Sequence, residues 1–350
     1  MYIKSLKRLW GHLSKKRKFQ FKFLLVLMIV ASIFEVISIG FAFPFLAALS
    51  NPEQVYNHEY MNSFITFFSI DAPNQLVLPL TVLFILAALS AGAIRLLLLY
   101  VSTRMSSVTG SDLGFSIYRK SLFQEYITHT NMNSSEVLNG VMKKTDLVIG
   151  NIITPTLTLI SSLFFLVGVS ITLLAINPFI TSLALSGFVL IYLMIIRVTR
   201  DRLHNNSKIM AEESTKVTKV LQEGLGGIRD ILLNQTQDYY CKLYRKSDIP
   251  FRLSSANSQI IAGSPRYVME AAGMMLIAIL AYSMTLKDGL SNDVIPMLGV
   301  LAFGAQRLLP ILQHSYHAYS TFSGSVVSFN DVLELLDQES PEYFENKSGE

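Results

Sequence analysis

Five ionisable side chains stand inside apolar runs of this chain: Glu35, Arg95, Arg266, Glu270 and Arg307. A charge buried at mid-membrane depth costs at least ~2.5–3.5 kcal/mol on insertion scales, so each is a candidate for function by default. The sharpest case is "GAQRLLPILQ", Gly304–Gln313, where a permanent cation, two glutamines and a proline interrupt an apolar segment. The planar fork of an arginine suits bidentate binding of a phosphate. Arg307 therefore reads either as a phosphate ligand facing a cavity or as the partner of a lone acid such as Glu270. Pro310 removes one helical hydrogen bond and bends its segment, as a static kink or as a hinge.

The other four have bland readings beside the chemical ones. Glu35 fits an interhelical hydrogen bond that fixes packing, or a cavity-lining, proton-linked carboxylate. Arg95 reads as a side chain that snorkels to the interface, or as a second anion ligand. Arg266 and Glu270, four apart, share one helical face and suit a self-contained ion pair as well as a substrate role. His314 and His317 lack a third ligand, so they are read as cavity lining or packing, and no metal site is expected. Met274, Met275 and Met284 read as packing or lipid-facing residues.

The elements that carry these residues are membrane helices. Of 350 residues, 51% are hydrophobic and 15% charged, against about 25% charged in soluble domains. Six apolar segments appear, at roughly 23–46, 76–100, 152–176, 179–196, 262–286 and 294–319. At 1.5 Å rise per residue, about 20 residues cross a hydrocarbon core of ~30 Å. Arg307, about 13 residues from the outer end of the sixth segment, then lies ~20 Å down, in the inner half of the bilayer. The single cysteine, Cys241, excludes an internal disulfide framework and a cysteine metal site.

Basic residues set the orientation. Of 29 Lys and Arg, eight lie in residues 1–22, five between the second and third segments and eleven between the fourth and fifth. Residues 51–75 and 177–178 have none, and 287–293 only Lys287. The positive-inside rule puts both termini and the two large connections in the cytoplasm. Residues 1–22, with Ile3, Leu6, Trp10 and Leu13 on one face, read as an amphipathic basic helix lying on anionic lipid; nucleic acid is not an expected partner. Residues 197–228 and 239–262 read as charged helices that extend well beyond the bilayer. Between them Gly226 and Gly227 permit a bend before a short apolar helix. In the earlier connection Asn133 and Glu136 form a variant capping box. The expected fold is an all-α membrane protein with six transmembrane helices and two long cytoplasmic helical hairpins, the membrane domain covering 23–338.

Six spans, two long hairpins and short external loops resemble the transmembrane domain of an ABC exporter. "EGLGGIRDILL" (Glu223–Leu233) and "YITHTNMNSSEVLN" (Tyr126–Asn139) look like the regions of that family's coupling helices, which dock on ATPase domains. The resemblance implies coupling roles for Thr128, His129, Thr130 and Asn131 in the first and for Arg229, Asp230, Asn234 and Gln235 in the second. Three further stretches look like the bacterial flippases of polyprenyl-pyrophosphate-linked oligosaccharides: "NPEQVYNHEYMNSFITFFSI" (Asn51–Ile70), "SPRYVMEAAG" (Ser264–Gly273) and "RLLP" (Arg307–Pro310). This implies an external helix contacting the lipid tail, cavity arginines meeting the pyrophosphate, a second copy as homodimer, and a place in the bacterial inner membrane.

No G-x-x-x-x-G-K-[ST] phosphate loop occurs in the 350 residues. ATP and Mg are therefore expected on a nucleotide-binding domain, fused downstream or separate, and no cofactor on this chain. The polar stretch 339–350 reads as a linker toward that domain. An exporter of peptides, drugs or other lipids keeps the same fold. A secondary transporter would instead be expected to show inverted repeats and short loops.

Overall fold

A computed structural model describes residues 2–57, 61–68, 70–124, 145–176, 178–288 and 294–337. Helices α1 (Tyr2–His12) and α2 (Lys15–Ser50) are followed by two short ones, α3 (Pro52–Tyr56) and α4 (Asn62–Phe68). Next come α5 (Val77–Leu122), α6 (Thr145–Val148) and α7 (Thr154–Ile176), then α8 (Pro178–Gly226) and α9 (Ile228–Leu233). The last three are α10 (Gln237–Asp288), α11 (Val294–Ser323) and α12 (Val326–Asp337). No strand occurs among the described residues. Three helical stretches among them are long and apolar enough to cross a membrane: Lys15–Leu49, Pro73–Leu122 and Thr145–Ala175. The expected first coupling residues, Thr128, His129, Thr130 and Asn131, and the expected linker 339–350 lie outside the described residues.

Five of the six apolar segments continue as helix past their expected ends, and the third stops at Ile176 as expected. α5 and α8 run on through sequence that is polar and charged, because no proline or capping signal interrupts the helical ladder there. α8 packs along α10, and α2 along α5 and α7. The ends of α2 and α5 are tied by an ion pair, Arg17 Nε to Asp112 Oδ2 at 2.7 Å. Ser32 Oγ on α2 donates to the Phe164 carbonyl of α7 at 2.8 Å. The same crossing is close because Gly168 has no side chain: a Cβ there would stand 2.8 Å from both Ser32 Oγ and Val36 Cγ2. Gly168→Leu should therefore push α2 and α7 apart, at about 1–3 kcal/mol of overpacking. A lowered melting temperature in detergent checks this; unchanged melting contradicts it.

A wide turn precedes α7. Residues Ile149–Ile153 form a π-helical turn, closed by the Thr154 amide bonding to the Ile149 carbonyl. Pro155 lacks an N–H and cannot bond to the Asn151 carbonyl, so the regular ladder is broken at this point. The turn brings Ile149 over Gly110 of α5, where a Cβ would fall 2.0 Å from Ile149 Cδ1. Asn151 Nδ2 is thereby placed 3.0 Å from Ser325 Oγ.

α12 is an element that sequence reasoning did not separate from the end of the membrane domain. Phe329, Val332, Leu333 and Leu336 are buried in the main core with Leu24 and Met28 of α2 and Ile117 of α5, and Val326 is buried as well. Their spacing is the helical 3-and-4 pattern, and that was the available signal.

Part of the apolar face of α1 is covered by protein. Leu9 and Leu13 are buried in the same core, and Leu6 packs against it. Ser5 Oγ donates to Asn330 Oδ1 at 2.9 Å. Arg8 and His12 both grip Asp337, with Arg8 Nε at 3.1 Å and His12 Nε2 at 2.6 Å. α12 packs against the Leu9 and Leu13 side of this helix, while Trp10 stays 40% exposed, because an apolar stripe that finds a complementary helix buries there as well as in lipid.

The Arg8 hydrogen bond, seconded by His12, holds the Asp337 carboxyl below the usual carboxylate range. A depressed native value stabilises docking at pH above the ordinary carboxylate range, and that contribution is lost as pH falls through the native value. Asp337→Asn should release α1 at neutral pH, and acidification below about pH 4 should do the same in the wild type. Emission of Trp10, the single tryptophan, reports it; no shift in either experiment contradicts the assignment.

Candidate functional site

Three of the five charges that interrupt apolar segments meet at one carboxylate oxygen. Glu35 is carried by α2, Arg95 by α5 and Arg307 by α11. Glu35 Oε1 accepts from Arg307 Nη1 at 3.0 Å and lies 3.0 Å from Arg95 Nη2. Glu35 is 1% exposed, whereas both arginines remain partly open. The Arg95 guanidinium also stands over the Phe165 ring of α7, 5.0 Å from its centroid, a favourable placement for a cation.

This corrects two expectations. Arg307 does not pair with Glu270; its carboxylate partner is Glu35, on a different helix. Arg95 does not only snorkel; it turns inward to the same acid. Glu270 accepts instead from Arg266 Nε at 2.8 Å, the one-face pair that their spacing suggested. Arg266 is exposed and Glu270 partly so, and neither lines the cavity that holds Arg95 and Arg307.

That cavity measures about 510 Å³. Arg95, Leu98, Leu99 and Ser102 line it from α5, and Thr158, Ser161, Ser162 and Phe165 from α7. Gln306, Arg307, Pro310, Ile311 and His314 line it from α11. Pro310 lies within a helix that continues on both sides of it, and its ring forms part of this wall. His314, read as cavity lining, does line it. His317 contributes only a 3.5 Å contact with Thr321 Oγ1. Ser102, Thr158 and Ser161 donate to backbone carbonyls of their own helices. Their oxygens still have lone pairs for a donor. Sequence reasoning missed this hydroxyl row, although Ser102 and the Thr158–Ser162 cluster are polar interruptions in apolar sequence.

The charge count decides what the cavity attracts. Two guanidiniums against one carboxylate leave a net positive wall, with both arginines partly open to the cavity. Such a wall favours an anionic headgroup over a neutral or cationic one. The aliphatic residues beside it suit an apolar chain.

The second coupling region forms a separate exposed feature. The Gly227 amide bonds to the Glu223 carbonyl at 2.9 Å, closing the end of α8. α9 then starts at Ile228, with Arg229 and Asp230 in its first turn. Only Ile231 is buried; Arg229, Asp230, Asn234 and Gln235 are exposed. Asn234 Nδ2 donates to the Asp230 carbonyl at 2.9 Å, and Gln235 takes the left-handed conformation at φ 53° that ends the turn. Leu225, Leu232 and Leu233 are also exposed around it.

A family model for the ABC transporter transmembrane region matches residues 23–302. The match takes in α2 with Glu35, α5 with Arg95, the long α8–α10 pair and the part of α11 up to just before Arg307. The chain therefore belongs to the ABC transporter transmembrane region family, and is a multi-pass membrane protein forming the membrane half of an ABC exporter.

Proposed function

We propose that the chain is the membrane half of an ATP-driven flippase for an anionic amphiphile, with polyprenyl-pyrophosphate-linked oligosaccharides as the cargo class it fits best. The observation that carries this is the net positive cavity wall made by Arg95 and Arg307 around Glu35. The hydroxyls of Ser102, Thr158, Ser161 and Ser162 line the same cavity, chemistry that suits phosphate oxygens and sugar hydroxyls. Arg266, exposed on α10, and Glu270, partly so, are a candidate second contact for the headgroup or for a second copy. Six spans cross the bilayer, and two copies form the transporter. α9 docks with Arg229, Asp230, Asn234 and Gln235 on a nucleotide-binding domain, which holds ATP and Mg. Pro310 is the hinge of α11 during closure.

The headgroup class is tested in proteoliposomes with the assembled transporter. ATP should drive a fluorescent polyprenyl-diphosphate glycan across the bilayer, and the anionic lipid should stimulate ATP hydrolysis. Stimulation by cationic drugs alone would favour the alternative, an exporter of drugs or peptides.

Orientation has a separate test. The exposed thiol of Cys241 lies near the start of α10, on the cytoplasmic side in this reading. A membrane-impermeant maleimide should label it in inverted vesicles and not in intact cells. Labelling from outside contradicts the orientation.

A further inference from the structure

We propose that Glu35 is the specificity-determining residue of the cavity, a built-in carboxylate that fixes how strong an anion must be to enter. This rests on the anion-binding reading above. Both guanidiniums contact one oxygen, Glu35 Oε1, at 3.0 Å. The second oxygen, Oε2, is buried and makes no hydrogen bond. Glu35 is 1% exposed, so water offers it no alternative partner, and α2 holds it permanently in place.

An incoming amphiphile with a single carboxylate offers the arginines what Glu35 already supplies. Exchange would be like for like, and it would strand a buried, unpaired anion, which is strongly unfavourable. A phosphate headgroup carries more charge and presents three oxygens that match the guanidinium fork bidentately. It gains where the carboxylate does not. Neutral headgroups gain nothing, because the arginines keep their tethered partner. Specificity of this kind comes from what the site rejects. Arg95 and Arg307 attract anions, and Glu35 removes the weak ones.

Glu35→Gln separates charge from geometry. The amide oxygen still accepts from both arginines, so their placement is kept while one negative charge is removed. The probes are dodecyl phosphate and dodecanoate, matched in chain length, with binding measured by titration to the transporter in nanodiscs. The wild type should bind dodecyl phosphate about tenfold or more tighter than dodecanoate. Glu35→Gln should bind dodecanoate about tenfold or more tighter than the wild type does, collapsing the preference. A residue needed only for packing would weaken both probes together, so a gain for one carries the proposal.

Equal wild-type affinities for the two probes overturn it. So does a Glu35→Gln variant that keeps the wild-type ratio. If that variant does not assemble, the wild-type ratio decides alone. If neither amphiphile binds the wild type, the anion-binding reading itself fails and takes this proposal with it. Phosphate and carboxylate bound alike by the wild type would leave that reading standing and remove only Glu35's role.

Discussion

Glu35→Leu should yield little folded protein, because it takes the shared acceptor away from Arg95 and Arg307 together. In the native chain the two cations sit on one carboxylate oxygen at 3.0 Å each. With leucine there, both cations remain within the helix bundle with no acid between them. Removing one partner of a buried pair typically costs 3–5 kcal/mol, since the remaining charge is left uncompensated. Both arginines open onto the cavity and can turn toward water, so roughly 3 kcal/mol is the better figure here. Set against a total stability of about 5–15 kcal/mol, that is a large fraction. The readout is the monodisperse fraction in size-exclusion chromatography and the melting temperature. A second variant checks the cause: Glu35→Leu combined with Arg307→Met leaves only one unpaired cation and should recover part of the loss. Wild-type melting for Glu35→Leu alone would show that the three charges do not hold the bundle together.

Arg307→Ala should act in the opposite way, sparing assembly and removing transport. Glu35 keeps Arg95, so the pair left behind is neutral and buried charge remains compensated. What disappears is the excess positive charge of the wall and one guanidinium fork. A hydrogen bond to a charged group contributes about 1.5–3 kcal/mol. Loss of one such interaction predicts roughly 10- to 100-fold weaker handling of a phosphate headgroup. Arg307→Lys retains the charge without the planar fork and should fall between. The measurement is the initial rate of ATP-dependent glycolipid flipping in proteoliposomes, normalised to reconstituted protein. Flipping by Arg307→Ala at the wild-type rate would remove Arg307 from the binding site.

Gly168→Leu and Arg307→Ala distinguish packing from chemistry. The first touches a helix crossing and should lower stability; the second touches the cavity and should lower transport. Gly168 abuts Val36, next to Glu35, so the double variant should show coupling rather than strict additivity.

The helices were legible because their signal is long and redundant. Apolar runs of twenty or more residues announce α2, α5 and α7, and charged sequence with apolar returns at Val217 and Val220 announces the continuation of α8. Both valines are buried. The Arg266–Glu270 pair was legible for a similar reason, since spacing of four on one helix fixes proximity without any knowledge of the fold. Glu35 as the partner of Arg307 was not. The two are 272 positions apart, and nothing in a single sequence sets the rotation of one span against another. Depth alone made Glu270 as plausible a partner as Glu35. Docking of α1 on α12 was hidden in the same way, because an amphipathic stripe says that something apolar covers it and not whether that is lipid or protein. The π-turn at 149–153 depends on one missing amide at Pro155, a local signal that apolar periodicity does not register.

The central claim is that an anionic headgroup sits against Arg95 and Arg307 in the cavity between α5, α7 and α11. Its most direct test is photo-crosslinking with a diphosphate lipid that carries a diazirine beside the phosphates, followed by peptide mapping. The account predicts adducts on Ser102, Ser161, Ser162, Gln306 and His314, which line that cavity, and their loss in Arg307→Ala. Adducts confined to other surfaces, or adducts on these residues that persist in Arg307→Ala, would contradict it.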